Sequence, residues 1–154
     1  ESEDYVKYYE DIYVGYRYFE TIPGADKKVN YPFGFGLSYT DFEISDIDVR
    51  SNENTISVSA SVTNTGKTYG KEVVQVYYSA PQGKLGKPSR ELAAFKKTDL
   101  LAPGETRKVY MAFPVSDMAS YVDTGKIKMS SYILEKGSYR FYVGNSVRNT
   151  LKAE

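Results

Sequence analysis

Asp46 and Asp48 are the pair whose spacing comes nearest to acid–base chemistry in this sequence. Two positions apart on an extended segment, they would share one face at about 7 Å. Such a pair divides into acid and base only where a cleft or a neighbouring charge pushes the two pKa values apart. A sandwich strand offers neither, so a solvated face is expected. The same residues make a poor calcium site, which needs several convergent oxygens from one loop. Composition closes other routes. Without histidine, Ser-His and Cys-His nucleophilic arrangements are unavailable. Without cysteine, so are a thiolate metal site and a disulfide framework. Gly34 and Gly36 do not lead into a helix, so they do not read as a phosphate cradle. The chain is expected to hold no catalytic residue, no metal ligand and no cofactor.

Two cations stand out. Arg17 and Arg90 lie among tyrosines, close to the carboxylates of Glu20 and Glu91. A guanidinium fork among rings more often packs and pairs than binds a ligand. Buried ion pairs that orient neighbouring segments are expected, with contact to a substrate as the alternative.

The elements that would position these residues follow from length and pattern. At 154 residues the chain suits one domain, or a sandwich of about 100 residues with an appendage. Lys+Arg 20 against Asp+Glu 20 gives no net charge, which argues against nucleic acid as a partner. No apolar run approaches the ~20 residues of a membrane span, so no membrane partner is expected. The start Glu1-Ser2-Glu3-Asp4 is unlike a basic signal-peptide start, and no Asn-x-Ser/Thr sequon occurs. The compartment stays open between a bacterial cytoplasm and secretion directed by a signal outside this segment.

From about residue 41 the pattern has period two. Phe42, Ile44, Ile47 and Val49 mark a first strand, with a phase slip at Ser45-Asp46 that predicts a bulge. Ile56, Val58, Ala60 and Val62 alternate with Ser57, Ser59 and Ser61, which predicts one buried and one solvated face. Asn64-Thr65-Gly66 punctuates. The nearly continuous apolar run from Val73 to Tyr78 reads as a central strand, and Ala80 to Pro88 as a long loop. Glu91 to Phe95 and the set Val109, Met111 and Phe113 mark two more strands, separated by a tight Pro103-Gly104 turn. A final hairpin is predicted between Lys128–Leu134 and Tyr139–Val143. About seven strands without a helical segment give an all-β, immunoglobulin-like two-sheet sandwich over residues 41–150. Phe42, Ile44, Val58, Val62, Val74, Val76, Val109, Met111, Phe141 and Val143 are expected in its core.

Residues 1–40 form an aromatic N-terminal arm. Tyr5, Tyr8, Tyr9, Tyr13, Tyr16, Tyr18 and Phe19 are too apolar to float free, yet too few for a core. Gly24–Lys28 is a polar loop suited to a hinge. Beyond it, Tyr31-Pro32-Phe33-Gly34-Phe35-Gly36-Leu37-Ser38-Tyr39-Thr40 sets four aromatics between glycines that allow close turns. The surplus of 16 Tyr and 7 Phe over no Trp suits half-buried strands first and sugar stacking second.

That aromatic run resembles the junction of family 3 glycoside hydrolases, the β-glucosidase and β-xylosidase family. Further blocks follow in the family's order from residue 8 to 149. Ile12-Tyr13-Val14-Gly15-Tyr16-Arg17-Tyr18-Phe19 looks like the end of its α/β-sandwich domain. Val62-Thr63-Asn64-Thr65-Gly66, Gly70-Lys71-Glu72-Val73-Val74-Gln75-Val76-Tyr77, Arg90-Glu91-Leu92 and Gly137-Ser138-Tyr139 look like its fibronectin type III-like module. Retaining members need two carboxylates about 5–5.5 Å apart. The family carries them on a barrel and a second domain, in motifs this chain lacks.

The resemblance implies a non-catalytic accessory module that stabilises and orients the catalytic barrel and α/β-sandwich domains of a parent β-glycosidase. Tyr13, Tyr16, Arg17, Tyr18, Phe33, Phe35, Tyr39 and Arg90 would be its interdomain docking residues. Two alternatives stay open: a carbohydrate-binding module stacking oligo- or polysaccharide on exposed tyrosines, and an adhesion-type sandwich that binds protein. Pairing of two copies through the arm as a homodimer is a further expectation.

Overall fold

A computed structural model describes residues 4–153, so Glu1-Ser2-Glu3 of the acidic start lie outside the described residues. Among the described residues nine strands form in chain order: β1 (Phe42–Ser51), β2 (Thr55–Asn64), β3 (Val73–Ser79), β4 (Glu91–Lys97), β5 (Thr106–Pro114), β6 (Ser120–Val122), β7 (Ser131–Ile133), β8 (Arg140–Gly144) and β9 (Thr150–Lys152). Seven of them build the sandwich, as a three-stranded sheet β1-β2-β5 and a four-stranded sheet β4-β3-β8-β9. Every pairing is antiparallel.

The inner faces follow the alternation. Ile56, Val58, Ala60 and Val62 of β2 and Val109, Met111 and Phe113 of β5 meet Val74, Val76, Tyr78 and Val143 of the other sheet. Phe42, Ile44 and Phe141 are half-buried against the rim of this core, outside its centre. In β1 the pairing shifts between Ser45 and Asp48, and Asp46 adopts φ 47°, so the expected bulge is present. Asp48 is tied to Arg50 at 2.8 Å on the exposed side, which leaves the Asp46/Asp48 pair on a solvated face.

Two expectations need correction. Ser59 and Ser61 are buried, so β2 has no freely solvated face along its middle. The cause is its central position: Asp48 and Arg50 on one side and Lys108 and Tyr110 on the other wall in the short serines. The final hairpin also differs. Ser131–Ile133 pairs with Ser120–Val122, while Arg140–Gly144 joins β3 and β9. Residues 135–138 are held away from a simple turn. The Glu135 carboxylate accepts the Lys84 amide at 2.7 Å, and Gly137 lies against the Pro81 ring.

Asn64 does more than punctuate. It is fully buried, and its Oδ1 accepts from the Thr40 hydroxyl at 2.7 Å and the Gly66 amide at 3.1 Å. Its Nδ2 donates to the carbonyls of Thr68 (2.8 Å) and Leu101 (3.0 Å). One amide thus ties the end of the arm to two loops. Asn64→Ala takes the side-chain partner from the Thr68 carbonyl and the Thr40 hydroxyl, while the Leu101 carbonyl keeps the Gly70 amide, and is expected to cost about 2–4 kcal/mol in urea unfolding. A loss under about 0.5 kcal/mol, the range of an ordinary surface change, would show that water replaces the amide freely.

Candidate functional site on the arm and the face it covers

The outward face of β3 carries Gln75 and Tyr77, yet Tyr77 is fully buried and Gln75 nearly so. The arm covers them. A single helical turn, α1 (Tyr16–Phe19), sets the Tyr16 ring edge-on to Tyr77 at 6.2 Å and stacked on Phe33 at 4.4 Å. The Tyr16 hydroxyl accepts the Leu92 amide at 2.9 Å, which anchors the turn to β4. Downstream, the Ser89 amide donates to Thr21 Oγ1 at 2.8 Å, and the Ser89 hydroxyl donates to the Glu20 carbonyl. Arg148 closes the same patch, donating to Glu20 Oε1 at 2.8 Å and to the Asp26 carbonyl at 3.2 Å. The loop proposed as a hinge is a 3-10 turn, Ala25–Lys28, with Ala25 buried.

At the junction, Gln75 Nε2 donates to the carbonyls of Gly34 (3.2 Å) and Asn145 (2.7 Å), while its Oε1 accepts the Tyr77 hydroxyl. The Val147 amide donates to the Phe33 carbonyl at 2.9 Å. Gly34 has φ 82°, and a Cβ there would lie 2.1 Å from Gln75 Oε1, so both conformation and proximity require glycine. Burial, with the neighbouring Tyr16 second, pushes the Tyr77 hydroxyl well above the ordinary tyrosine range. It therefore stays a protonated donor.

The expected site residues divide into two groups. Tyr16, Arg17, Phe33 and Arg90 are engaged within the domain. Arg17 pairs with Glu91 at 3.4 Å. Among the described residues Arg90 makes no ion pair: its guanidinium lies over the Tyr142 ring at 3.9 Å and donates to the Val147 carbonyl and Thr150 Oγ1. The carboxylate expected beside Arg17, Glu20, goes to Arg148 instead. Arg90 sits on the β8–β9 side, where carbonyl oxygens and a ring face satisfy the cation without a carboxylate.

Tyr18, Phe35 and Tyr39 present ring surface to solvent, as does the outer side of Phe33, and Tyr39 is 99% exposed. Tyr13 lies between the groups, half-buried, with its hydroxyl 3.9 Å from where a Cβ on Gly86 would sit. Tyr9, Tyr13, Tyr18, Phe19 and Ile22 line an open apolar groove of about 530 Å³.

A family model described as a fibronectin type III-like domain matches residues 72–147. The chain carries a fibronectin type III-like domain. Over 97% of its length it is 54% identical to β-glucosidase A of Butyrivibrio fibrisolvens, covering 20% of that protein. It is similar throughout to part of a solved β-glucosidase from Paenibacillus barengoltzii, at TM-score 0.89 and 50% identity, covering 17% of that chain. Likewise it matches β-glucosidase 3B of Thermotoga neapolitana, solved in complex with glucose, at TM-score 0.84 and 48% identity over 95% of this chain and 19% of that one. The module thus spans about a fifth of the length of these relatives.

Gln75, Tyr77, Ser89 and Arg148 were not singled out from sequence. The one available signal was Gln75 itself, the lone polar residue in the run Val73–Tyr78.

Two outcomes follow from the covered face. A chain beginning at Thr40 keeps the hydroxyl that Asn64 needs but uncovers Tyr77 and Gln75. Losing that burial should lower stability by several kcal/mol, read as a lower melting temperature, and promote self-association, read by light scattering. Identical melting and identical monomers for both chains would mean that the arm contributes nothing. The second outcome is alkaline. Burial also raises the Tyr78 hydroxyl, with Glu91 next in effect. The unfolded chain releases these protons near pH 10, whereas the folded chain retains them. Stability is therefore unaffected by them below about pH 10 and falls as pH rises beyond it. Absorbance titration should show two tyrosines ionising late and together with unfolding.

Proposed function

We propose that this module is a non-catalytic accessory part of a β-glycosidase that hydrolyses β-glucosides or β-xylosides, holding the catalytic domains in place through its aromatic arm. One observation carries the reading. Leu37 and Tyr39 are 92% and 99% exposed although the chain is pinned on both sides, at Gly34 by Gln75 and at Thr40 by Asn64. Rings and aliphatic side chains held outward on a fastened segment suit a surface that another folded body covers. Tyr5, Tyr8 and Tyr9 extend the same apolar character along the arm.

Tyr18, Phe35 and Tyr39 supply the docking contacts, and residues 1–40 are the passage from the preceding α/β-sandwich domain. Tyr16, Arg17, Phe33 and Arg90 fix the angle at which that passage leaves the sandwich. A sugar platform is less well supported, because Tyr31 and Phe35 stack on each other at 5.1 Å and 26° instead of lying side by side.

The isolated chain should show no turnover of aryl β-glucosides or β-xylosides. In the parent enzyme, Leu37→Ser combined with Tyr39→Ser should lower the melting temperature by several degrees and leave the isolated module's unchanged. Activity that tracks the purified module, or a parent indifferent to both substitutions, would sink the proposal.

A further inference from the structure

The small hairpin β6–β7 carries apolar surface that neither sheet of the sandwich uses. Tyr121 and Tyr132 face each other across it, with ring centroids 5.2 Å apart and planes tilted by 60°. They are 55% and 75% exposed, and Ile127, Met129 and Leu134 beside them are exposed as well. The hairpin's feet, in contrast, are fastened. The buried Lys87 ammonium donates to the Ser120 hydroxyl on one side, and Glu135 accepts the amide of Lys84 on the other, while Val122 is buried nearer the hairpin's loop. Both feet therefore hold the loop 80–88. On its other flank that loop approaches the arm, at Gly86 and the Tyr13 hydroxyl. Arm, loop and hairpin form one continuous end of the module.

We propose that the β6–β7 hairpin is a second docking surface, gripping the same folded part of the parent chain from which the arm emerges, with Tyr121, Tyr132 and Met129 as its anchors. This rests on the accessory-module reading. About four-fifths of the Butyrivibrio relative lies outside the matched part, so a body large enough to span the whole end is at hand. The composition points the same way. Met, Ile and Leu beside tyrosines suit the centre of a protein interface, whereas a pyranose needs ring faces that the 60° tilt withholds. The outward face of β1-β2-β5 offers the contrast. Its exposed positions, Asp48, Arg50, Ser57, Thr106 and Lys108 with the single ring of Tyr110, are mostly polar.

Amide exchange compared between the full-length parent and this chain alone tests the idea. Exchange in residues 120–134 and 4–22 should both slow at least about tenfold in the parent. Slowing of the arm with an unchanged hairpin would overturn the second surface and leave the accessory reading standing. Unchanged exchange in both would overturn the two together. Hairpin slowing that appears only on adding cello-oligosaccharide would assign the patch to sugar and overturn the proposal. Tyr121→Ser with Tyr132→Ser gives an independent readout, with lower melting of the parent expected and no change in the isolated module. Equal loss in both would mean that the rings serve only the hairpin's own fold.

Discussion

Burial of β3 on both faces is the constraint from which the rest of the structure follows. Its inner residues, Val74, Val76 and Tyr78, lie in the sandwich core, while Gln75 and Tyr77 lie under the arm. A buried amide left without partners costs about 1–3 kcal/mol, so Gln75 dictates what surrounds it. Its two donations and one acceptance fix the Gly34 carbonyl, the Asn145 carbonyl and the Tyr77 hydroxyl relative to one another. Junction, strand and the β8–β9 turn are thereby set by a single side chain. Glycine at position 34 follows, since no other residue permits the approach.

What was legible in the sequence was whatever repeats. Period-two burial marks β1, β2, β5 and β8 because each presents one face to the shared core, and a continuous apolar run marks β3. The slip at Ser45-Asp46 marks the bulge because it breaks the period, whereas the three-residue β9 was not expected. Interactions made by a single residue leave no periodic trace. Asn64 reads as a turn residue, yet its amide serves two distant loops. Strands β6 and β7 are three residues each, too short for alternation to register, and their register depends on where Glu135 is held. The arm's aromatic content was plain, but which rings turn inward depends on Gln75 and Leu92, far along the chain.

The charges divide along similar lines. Asp48–Arg50 and Glu105–Arg107 are exposed pairs within one strand or turn, where solvent screening leaves an ion pair little to contribute. Arg17–Glu91 and Arg148–Glu20 instead join segments more than 70 residues apart, and the carboxylate of each is well covered. With Arg17 still 40% exposed, the former pair orients the arm more than it stabilises it. Arg90 reaches the same end without a carboxylate, its plane against Tyr142 and its fork on backbone and hydroxyl oxygens. Lysine has neither the planarity nor the fork to replace it.

One run of residues in the arm thus divides between covered and exposed side chains. Tyr16 turns inward onto Tyr77 with the half-exposed Phe33 stacked on its other side, while Tyr31, Leu37 and Tyr39 turn outward. The division falls around Gly34, where φ 82° turns the chain back toward Gln75. Were the run free of the sandwich, its outward rings would collapse onto the nearest apolar surface, because nothing would hold them in water. Pinning at Gly34 and Thr40 prevents that collapse and keeps the exposed side chains in a fixed arrangement. A partner meeting them then has less ordering entropy to overcome than one meeting a flexible tail. The tightness of the inward contacts thus sets the quality of the outward ones.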